Sequence, residues 1–271
     1  MEFIVQRNDI ASMEVDAVVL PANWRLRAGT GASMALFEAA GRKELEAECA
    51  LKSKQFERQN IRLVPGVSVP THAFDLPARI ILHTIVPKWD QKNQQGSYED
   101  LCKSYASALV MADEMGLESI AFPILASGNN GFDTDVAIDI AIQSLEQYQP
   151  KHKLAQAYLV TFGHEITQNM RDRGFDVEEV IDQLHVLDQD MHQAEVIKQD
   201  RARRRKAKAK QKPFVQKKID EAIDWLKIPE NLDLVVNLAS AIAIKILTKG
   251  ADGNALTTLK AAEPAIKKGK K

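Results

Sequence analysis

The sequence contains little cysteine, few aromatic residues and no long apolar run. Only two of the 271 residues are cysteines, Cys49 and Cys102, and 6% are aromatic. The cysteines are far apart and have no Cys-x-x-Cys motif or nearby histidine, which excludes a disulfide framework and a zinc site and is typical of a reducing compartment. The longest apolar run, 234–244, is interrupted by Asn237 and Ser240 and is shorter than the roughly 20 residues that cross a bilayer, so we predict no contact with a membrane.

The N-terminus has none of the features of a secretory leader. It begins Met-Glu-Phe-Ile-Val, without a basic stretch or a long apolar segment. We therefore expect no signal peptide and a cytoplasmic location.

Charge is balanced over the whole chain but divided between its two parts. Residues 201–271 contain 18 Lys or Arg and 7 Asp or Glu, a net charge of +11, whereas residues 1–200 contain 18 and 30, a net charge of −12. Eight basic residues fall within 201–212, where no aromatic residue accompanies them. This run is a solvated spacer, or it contacts nucleic acid or an acidic partner, and the missing aromatics argue against stacking on single strands.

The composition shift suggests three segments. We predict a folded domain over residues 1–175, a charged helical linker over 176–212 and a helical C-terminal extension over 213–271.

Within residues 1–200, short runs rich in Val and Ile alternate with longer segments whose apolar residues have helical spacing. This alternation predicts an α/β domain. Expected strands are 3–5, 15–20, 66–71, 79–86, 119–125 and 157–162, and expected helices are 34–40, 101–115 and 135–148, with two more at 214–225 and 229–247 in the extension.

Two glycine-containing loops follow predicted buried strands and lead into helices. The first covers residues 21–31 and the second residues 126–132. Glycine lets the backbone approach a phosphate closely, and a helix N-terminus favours an anion. One such loop is weak evidence, but two of them indicate a diphosphate ligand.

Four motifs in order resemble those of the macro domain family over about residues 1–170, which implies a three-layer α/β/α fold with a mixed sheet. The matching stretches are Asn8-Asp9-Ile10, then Val19 to Asn23 through Gly29-Thr30-Gly31 to Gly41, then Leu76-Pro77 with 81–87, and then Ile120 to Pro123 through Ser127-Gly128 to Gly131-Phe132.

The resemblance implies that the ligand is ADP-ribose and that no cofactor or metal is needed. Asp9 matches the carboxylate that accepts a hydrogen bond from the adenine amino group, beside the Ile10 backbone, although an Asp here is also typical of a turn or helix cap. Phe162 stacks on adenine or belongs to the core. Phe132 matches the aromatic residue that packs on the distal ribose. The positions matching the diphosphate clamp are Gly29, Gly31, Ser127, Gly128, Asn130 and Gly131.

Asn23 matches the asparagine that holds the distal ribose, and it is our candidate catalytic residue. An asparagine after a strand is also common simply as a turn residue. The sequence departs from the family pattern at Leu20, at Pro21 and at Ser33, where one hydrolytic subgroup has an aspartate. A serine cannot act as a carboxylate base.

His83, Trp24 and Trp89 receive weaker predictions. We interpret His83 as a core histidine, and the two tryptophans as candidates for the mouth of the ribose site.

We therefore predict an ADP-ribose-binding protein that hydrolyses mono-ADP-ribose from modified protein, or a related ADP-ribose ester. The alternatives are a non-catalytic reader of ADP-ribose or ADP-ribosylated protein, which Ser33 favours, and a nucleic-acid- or partner-binding protein regulated by ADP-ribose.

Overall fold

The structure is a computed structural model. It describes residues 1–180 and, further along the chain, residues 213, 217, 220, 221, 224, 228, 230, 231 and 233–236. The basic run 201–212 and most of the two predicted C-terminal helices lie outside the described residues. No helix in the described part of the chain is long and apolar enough to cross a membrane.

A seven-stranded mixed sheet forms the centre of the domain. Its strands are β1 (Glu2–Arg7), β2 (Ala17–Ala22), β3 (Ser68–His72), β4 (Ile80–Ile85), β5 (Ser119–Pro123), β6 (Gln156–Thr161) and β7 (Val177–Glu179), in the order β3-β4-β2-β5-β6-β1-β7. The β3 strand runs antiparallel to β4, and the remaining neighbours are parallel.

Helices cover both faces of this sheet. They are α1 (Ala32–Ala40), α2 (Arg42–Arg58), α3 (Gln94–Glu114), α4 (Thr134–Gln147) and α5 (His164–Asp172), and a short 3₁₀ turn covers Ile10–Ser12. Successive residues of a strand point to opposite faces. In β4, His83 contacts Cys49 of α2, while the hydroxyl of Thr84 is joined through Ser68 to Ser107 of α3. The predicted three-layer α/β/α fold is therefore confirmed.

The central strands are buried because helices shield them on both sides. All six residues of β4 are buried, and so are five of the six residues of β2. Such strands are near-continuously apolar in parallel sheets, as the sequence predicted. The carboxyl ends of β1, β2, β4, β5 and β6 lie at one edge, and the loops at this edge form the candidate site.

His83 is a core residue, as predicted. Its side chain is fully buried, and its Nε2 lies 2.9 Å from Oγ1 of Thr71 and 3.7 Å from Sγ of Cys49. Burial lowers the pKa of His83 to about 3 and raises the pKa of Cys49 to about 12, so both side chains are neutral at pH 7.

A buried carboxylate anchors the connection from α4 to β6. Asp113, 1% exposed, accepts hydrogen bonds from the hydroxyl of Tyr148 and from the backbone N–H groups of Lys151, His152 and Leu154. These four donors make the residue a structural centre far from the site edge.

Three elements were not predicted. Helix α2 was missed entirely, and so were α5 and β7, which pairs with β1 beyond the predicted domain end at residue 175. Helix α3 begins seven residues before its predicted start at residue 101.

Candidate functional site

One large cleft lies across the carboxyl edge of the sheet and has a volume of about 1360 Å³. Both glycine loops line it, together with the start of α1, the end of β6 and the last turns of α2. Of the predicted site residues, those that line the cleft are Asn23, Gly29, Gly31, Ser127, Gly128, Asn130 and Phe162.

Asn23 organises the first loop. Its Nδ2 donates a 2.8 Å hydrogen bond to the carbonyl of Arg27, and its Oδ1 accepts a 3.0 Å hydrogen bond from the N–H of Arg25. The same loop holds Leu26 at a φ of 51° with its side chain buried. Asn23 thus has the turn role that its position after a strand suggested, and its exposed amide retains a second N–H at the cleft surface.

The first loop ends at the N-terminus of α1. Gly31 has a φ of 57° and a ψ of −133°, a conformation that residues with a side chain rarely adopt, and it contributes no side-chain cap. Because no side chain caps this end, the backbone N–H groups of the first turn are available to an anion in the cleft.

Ser33 lies in the first turn of α1 and also lines the cleft. It is 3% exposed, and its Oγ accepts a 3.1 Å hydrogen bond from the N–H of Gly29. Ser33 is the position at which a hydrolytic subgroup of the macro domains that the sequence resembles has an aspartate. In this chain the position therefore has a neutral hydroxyl that stabilises the loop.

A hydrogen bond from the residue just before the second loop to α3 fixes the position of this loop. The buried hydroxyl of Tyr105 accepts a 2.9 Å hydrogen bond from the N–H of Leu125, and the Ser127 hydroxyl donates to the carbonyl of Ile124 at 3.1 Å. Ala126 has a φ of 64° and Gly131 a φ of 79°. These constraints fix the turn and expose its tip to the cleft.

The two loops are joined to each other. Nδ2 of Asn129 lies 2.9 Å from Oγ1 of Thr30, to which it donates a hydrogen bond. This contact closes the outer side of the cleft between the two segments predicted to bind the diphosphate.

Asp9 and Ile10 lie beside one end of the cleft and are not among its lining residues. Arg7 pairs with Thr161, and the N–H of Asn8 donates to the carbonyl of Thr161, so Asp9 and Phe162 each follow the end of one of the neighbouring strands β1 and β6. Phe162 is 72% exposed and lines the cleft, so it is not a core residue. Asp9 caps the 3₁₀ turn by accepting a 2.9 Å hydrogen bond from the N–H of Ala11.

Gly131 and Phe132 support the second loop but do not line the cleft. Phe132 is 5% exposed and packs against Trp89 and Tyr98, with ring centroids 5.3 and 6.5 Å away. Trp89 also donates its backbone N–H to the carbonyl of Asn130. Trp24, by contrast, is 59% exposed and lines the cleft beside Asn23.

Sequence reasoning missed one wall of the cleft. It consists of the last turns of α2 and the segment that follows, together with one residue after β4 and one residue of α3. The residues are Ser53, Phe56, Glu57, Ile61, Arg62, Leu63, Val64, Pro65, Lys88 and Asp100. The α2 part of this wall was not found because α2 itself was not predicted. Among the described residues, no group of three or more His, Cys, Asp or Glu could hold a metal ion.

The fold and this cleft define an α/β domain with a ligand site at the carboxyl edge of a mixed sheet. The family model of the macro domain matches residues 19–141. A macro domain-containing protein of Xanthomonas axonopodis pv. citri is 34% identical over 167 residues, which cover 62% of this chain and 91% of the relative. The chain belongs to the macro domain family.

Other similar proteins carry more specific names. An O-acetyl-ADP-ribose deacetylase of Escherichia fergusonii is 33% identical over 59% of this chain and 88% of its own length. Among solved structures, the Oceanobacillus iheyensis macrodomain with ADP has a TM-score of 0.56 at 28% identity, covering 62% of this chain and 87% of that one. The Trypanosoma brucei macrodomain in complex with ADP-ribose has a TM-score of 0.52 at 26% identity, covering 64% and 68%.

Proposed function

We propose that this macro domain binds ADP-ribose along the cleft and hydrolyses ester-linked ADP-ribose. One observation carries the proposal: two glycine loops and the uncapped N-terminus of α1 converge on a single cleft. Backbone N–H groups and the helix dipole favour a diphosphate there, without the need for a basic side chain.

The remaining groups fit the two ends of ADP-ribose. Phe162 offers an exposed aromatic face for adenine, and the neighbouring carboxylate of Asp9 is an acceptor for its amino group. Asn23 lies at the start of the first loop, directly after β2 and thus on the side of this loop away from β1 and β6, where the distal ribose would be held. The names of the bacterial relative and of the solved structures support the same ligand.

Hydrolysis would take place at the distal ribose. For ADP-ribose on an acidic side chain, water attacks the anomeric carbon, the bond to the acceptor carboxylate breaks, and the water proton passes to solvent. Asn23 can position the ribose through its amide, while the fixed loop holds the substrate in a reactive orientation. Ser33 supplies no carboxylate base, so the rate depends on positioning rather than on proton abstraction.

A single-turnover assay tests this function. The full chain is incubated with ADP-ribose ester-linked to glutamate and, separately, with O-acetyl-ADP-ribose, and the released ADP-ribose is measured against a buffer control. We expect release above the control from at least one substrate. We expect Asn23→Ala to reduce the turnover rate by about 10²-fold, because positioning acts mainly on the transition state. Since Asn23 also holds the first loop, ADP-ribose affinity should fall as well, but only by about 1 kcal/mol.

A reader without turnover is the second candidate. The observation that favours it is Ser33, which is buried, uncharged and already hydrogen-bonded to the backbone of Gly29. A wild-type rate equal to the buffer control, together with measurable ADP-ribose binding, would leave the reader as the function.

A further inference from the structure

The cleft continues beyond the place proposed for the distal ribose. Past Asn23 it is lined by the end of α2, the segment 61–65 and the residues after β4, none of which has a predicted contact with ADP-ribose. The volume of about 1360 Å³ also exceeds the roughly 300–1,000 Å³ of a site for one small molecule. The cleft therefore has room for ADP-ribose and for a further group.

The order of the strands determines which part of a ligand faces this extra space. The proposed adenine site lies at β1 and β6, and the glycine loops follow β2 and β5; next across the sheet come β4 and β3. Neighbouring strands are about 4.8 Å apart, so two further strand positions add about 10 Å to the cleft. A group attached to the distal ribose would therefore extend from the ribose toward β4 and β3.

The outer wall of the extra space is fixed and partly apolar. The N–H of Ile61 donates to the carbonyl of Phe56 at 3.0 Å, and the N–H of Val67 donates to the carbonyl of Val64 at 3.1 Å. Val64 nevertheless leaves 48% of its surface exposed. The segment is thus held in place by its backbone while it presents apolar surface to the cleft.

The charges in this space favour an anionic occupant. Arg62 and Lys88 line it and are exposed, and neither forms an ion pair within the part of the chain that the structure describes. Asp100 is neutralised by Lys103 at 2.8 Å, which leaves Glu57 as the opposing carboxylate. The lining of this space therefore has a net positive charge, although residues 1–200 as a whole have a net charge of −12.

A further cation lies at the mouth, next to the ribose position. The guanidinium of Arg25 is 4.5 Å from the ring centroid of Trp24, whose exposed ring lines the cleft. Arg25 is not itself a lining residue of the cleft, but its contact with Trp24 places a third cation beside the lining.

We propose that this space is an acceptor channel, formed by Arg62, Val64, Lys88 and their neighbours, which binds an acidic polypeptide segment carrying ADP-ribose on a side chain. The inference rests on the proposed function, because it takes the position of the distal ribose from it. The peptide backbone and aliphatic side chains lie against the apolar wall, and the flanking carboxylates face Arg62 and Lys88. A small acyl group on the ribose does not extend to these residues.

Binding measurements with non-cleavable conjugates test the channel. The full chain is titrated with free ADP-ribose, with ADP-ribose joined to a peptide flanked by Glu and Asp, and with the same conjugate flanked by Lys. We expect the acidic conjugate to bind about fivefold to tenfold tighter than free ADP-ribose at low salt, since exposed ion pairs contribute modestly. We expect this gain to shrink as salt is added.

Two charge-reversed variants locate the effect. Arg62→Glu/Lys88→Glu should abolish the gain and leave the affinity for free ADP-ribose within twofold. The control, Lys43→Glu/Lys54→Glu, makes the same charge change at exposed positions of α2 outside the cleft and should keep the gain.

The outcomes separate this inference from the proposed function. Equal affinity for free ADP-ribose and both conjugates would overturn the acceptor channel alone, and so would an equal loss of the gain in both variants. In a parallel titration with ADP-ribose joined to an oligonucleotide, a gain that the acidic peptide does not give would overturn the proposed occupant. Absence of binding by free ADP-ribose would contradict the proposed function itself, and the channel with it.

Discussion

The amide of Asn129 and the hydroxyl of Thr30 form a 2.9 Å hydrogen bond that joins two loops 99 residues apart in the sequence. Each loop is fixed at its base by other contacts, whereas this bond connects their exposed tips. It therefore links the two loops at the proposed diphosphate position.

Removal of this contact should shorten the lifetime of the ADP-ribose complex. We expect Thr30→Val to weaken binding by about 0.5–1.5 kcal/mol, the usual net value of one hydrogen bond, mainly through faster dissociation. Thr30→Ser retains the hydroxyl and should behave like the wild type. Stopped-flow dissociation rates measure the effect, and an unchanged rate in Thr30→Val would show that the contact has no part in holding the ligand.

Asp9 combines a cap and a predicted ligand contact, and an asparagine separates the two roles. Asp9→Asn can still cap the 3₁₀ turn, so we expect the free energy of unfolding to change little. If the amide oxygen caps the turn, the NH₂ group takes the place of the second carboxylate oxygen, and it cannot accept a hydrogen bond from the adenine amino group. ADP-ribose affinity should therefore fall by about 1–3 kcal/mol. Ribose 5-phosphate, which has no adenine, should compete equally well in both proteins. Equal ADP-ribose affinities would exclude Asp9 from the site.

Ser33 should affect binding through the backbone of the first loop. Ser33→Ala removes the acceptor for the N–H of Gly29, and we expect a loss of about 1 kcal/mol in ADP-ribose affinity. Ser33→Asp retains an acceptor at the N-terminus of α1, where negative charge is stabilised, and should keep the fold intact. Calorimetry of both variants tests this; full affinity in Ser33→Ala would show that the loop needs no such support.

The buried Asp113 should contribute to stability and not to ligand binding. Asp113→Ala leaves the hydroxyl of Tyr148 and three backbone N–H groups without their acceptor, so we expect the free energy of unfolding to fall by about 3–5 kcal/mol. Asp172→Ala is the control, because this carboxylate is exposed and accepts one side-chain hydrogen bond, from Gln168, within the described residues. It should change the free energy of unfolding by less than about 0.5 kcal/mol, as is usual at the surface. Urea unfolding of the two variants provides the comparison.

Acid should destabilise the fold through His83. The pKa of this side chain is about 3 in the folded protein because burial disfavours its charged form. In the unfolded chain its pKa is about 6.5, so the unfolded state binds a proton first as the pH falls. The contribution of neutral His83 to the free energy of unfolding is fully present above about pH 6.5. It declines by about 1.4 kcal/mol per pH unit between roughly pH 6 and 3.

A variant isolates this contribution from those of the carboxylates. The difference in unfolding free energy between wild type and His83→Gln, measured in urea from pH 7.5 to 4, should shrink as the pH falls. A difference that stays constant with pH would contradict the assignment.

The sequence predicted the elements whose burial is continuous and failed where burial is sparse. The central strands were found because both of their faces are covered, as in β4. Helix α2 buries only Leu45, Cys49, Lys52 and Phe56. This spacing is helical, but a lysine and a cysteine conceal it among charged residues. Strand β7 buries one residue of three and has no detectable period.

The site was predictable only where it follows local chain geometry. The glycine loops could be found because each leaves a buried strand and enters a helix. The contact between Thr30 and Asn129 and the wall formed by Arg62 and Lys88 depend on how distant segments pack, which no local pattern encodes. The burial of Phe132 against Trp89 and Tyr98 is a similar case, since its motif alone suggested contact with the ribose.

Whether the cleft binds ADP-ribose is measured by calorimetric titration of the full chain. We expect saturable binding of one ADP-ribose per chain, competition by ADP, and weaker binding by Asp9→Asn. No heat and no thermal stabilisation at millimolar ADP-ribose would contradict it.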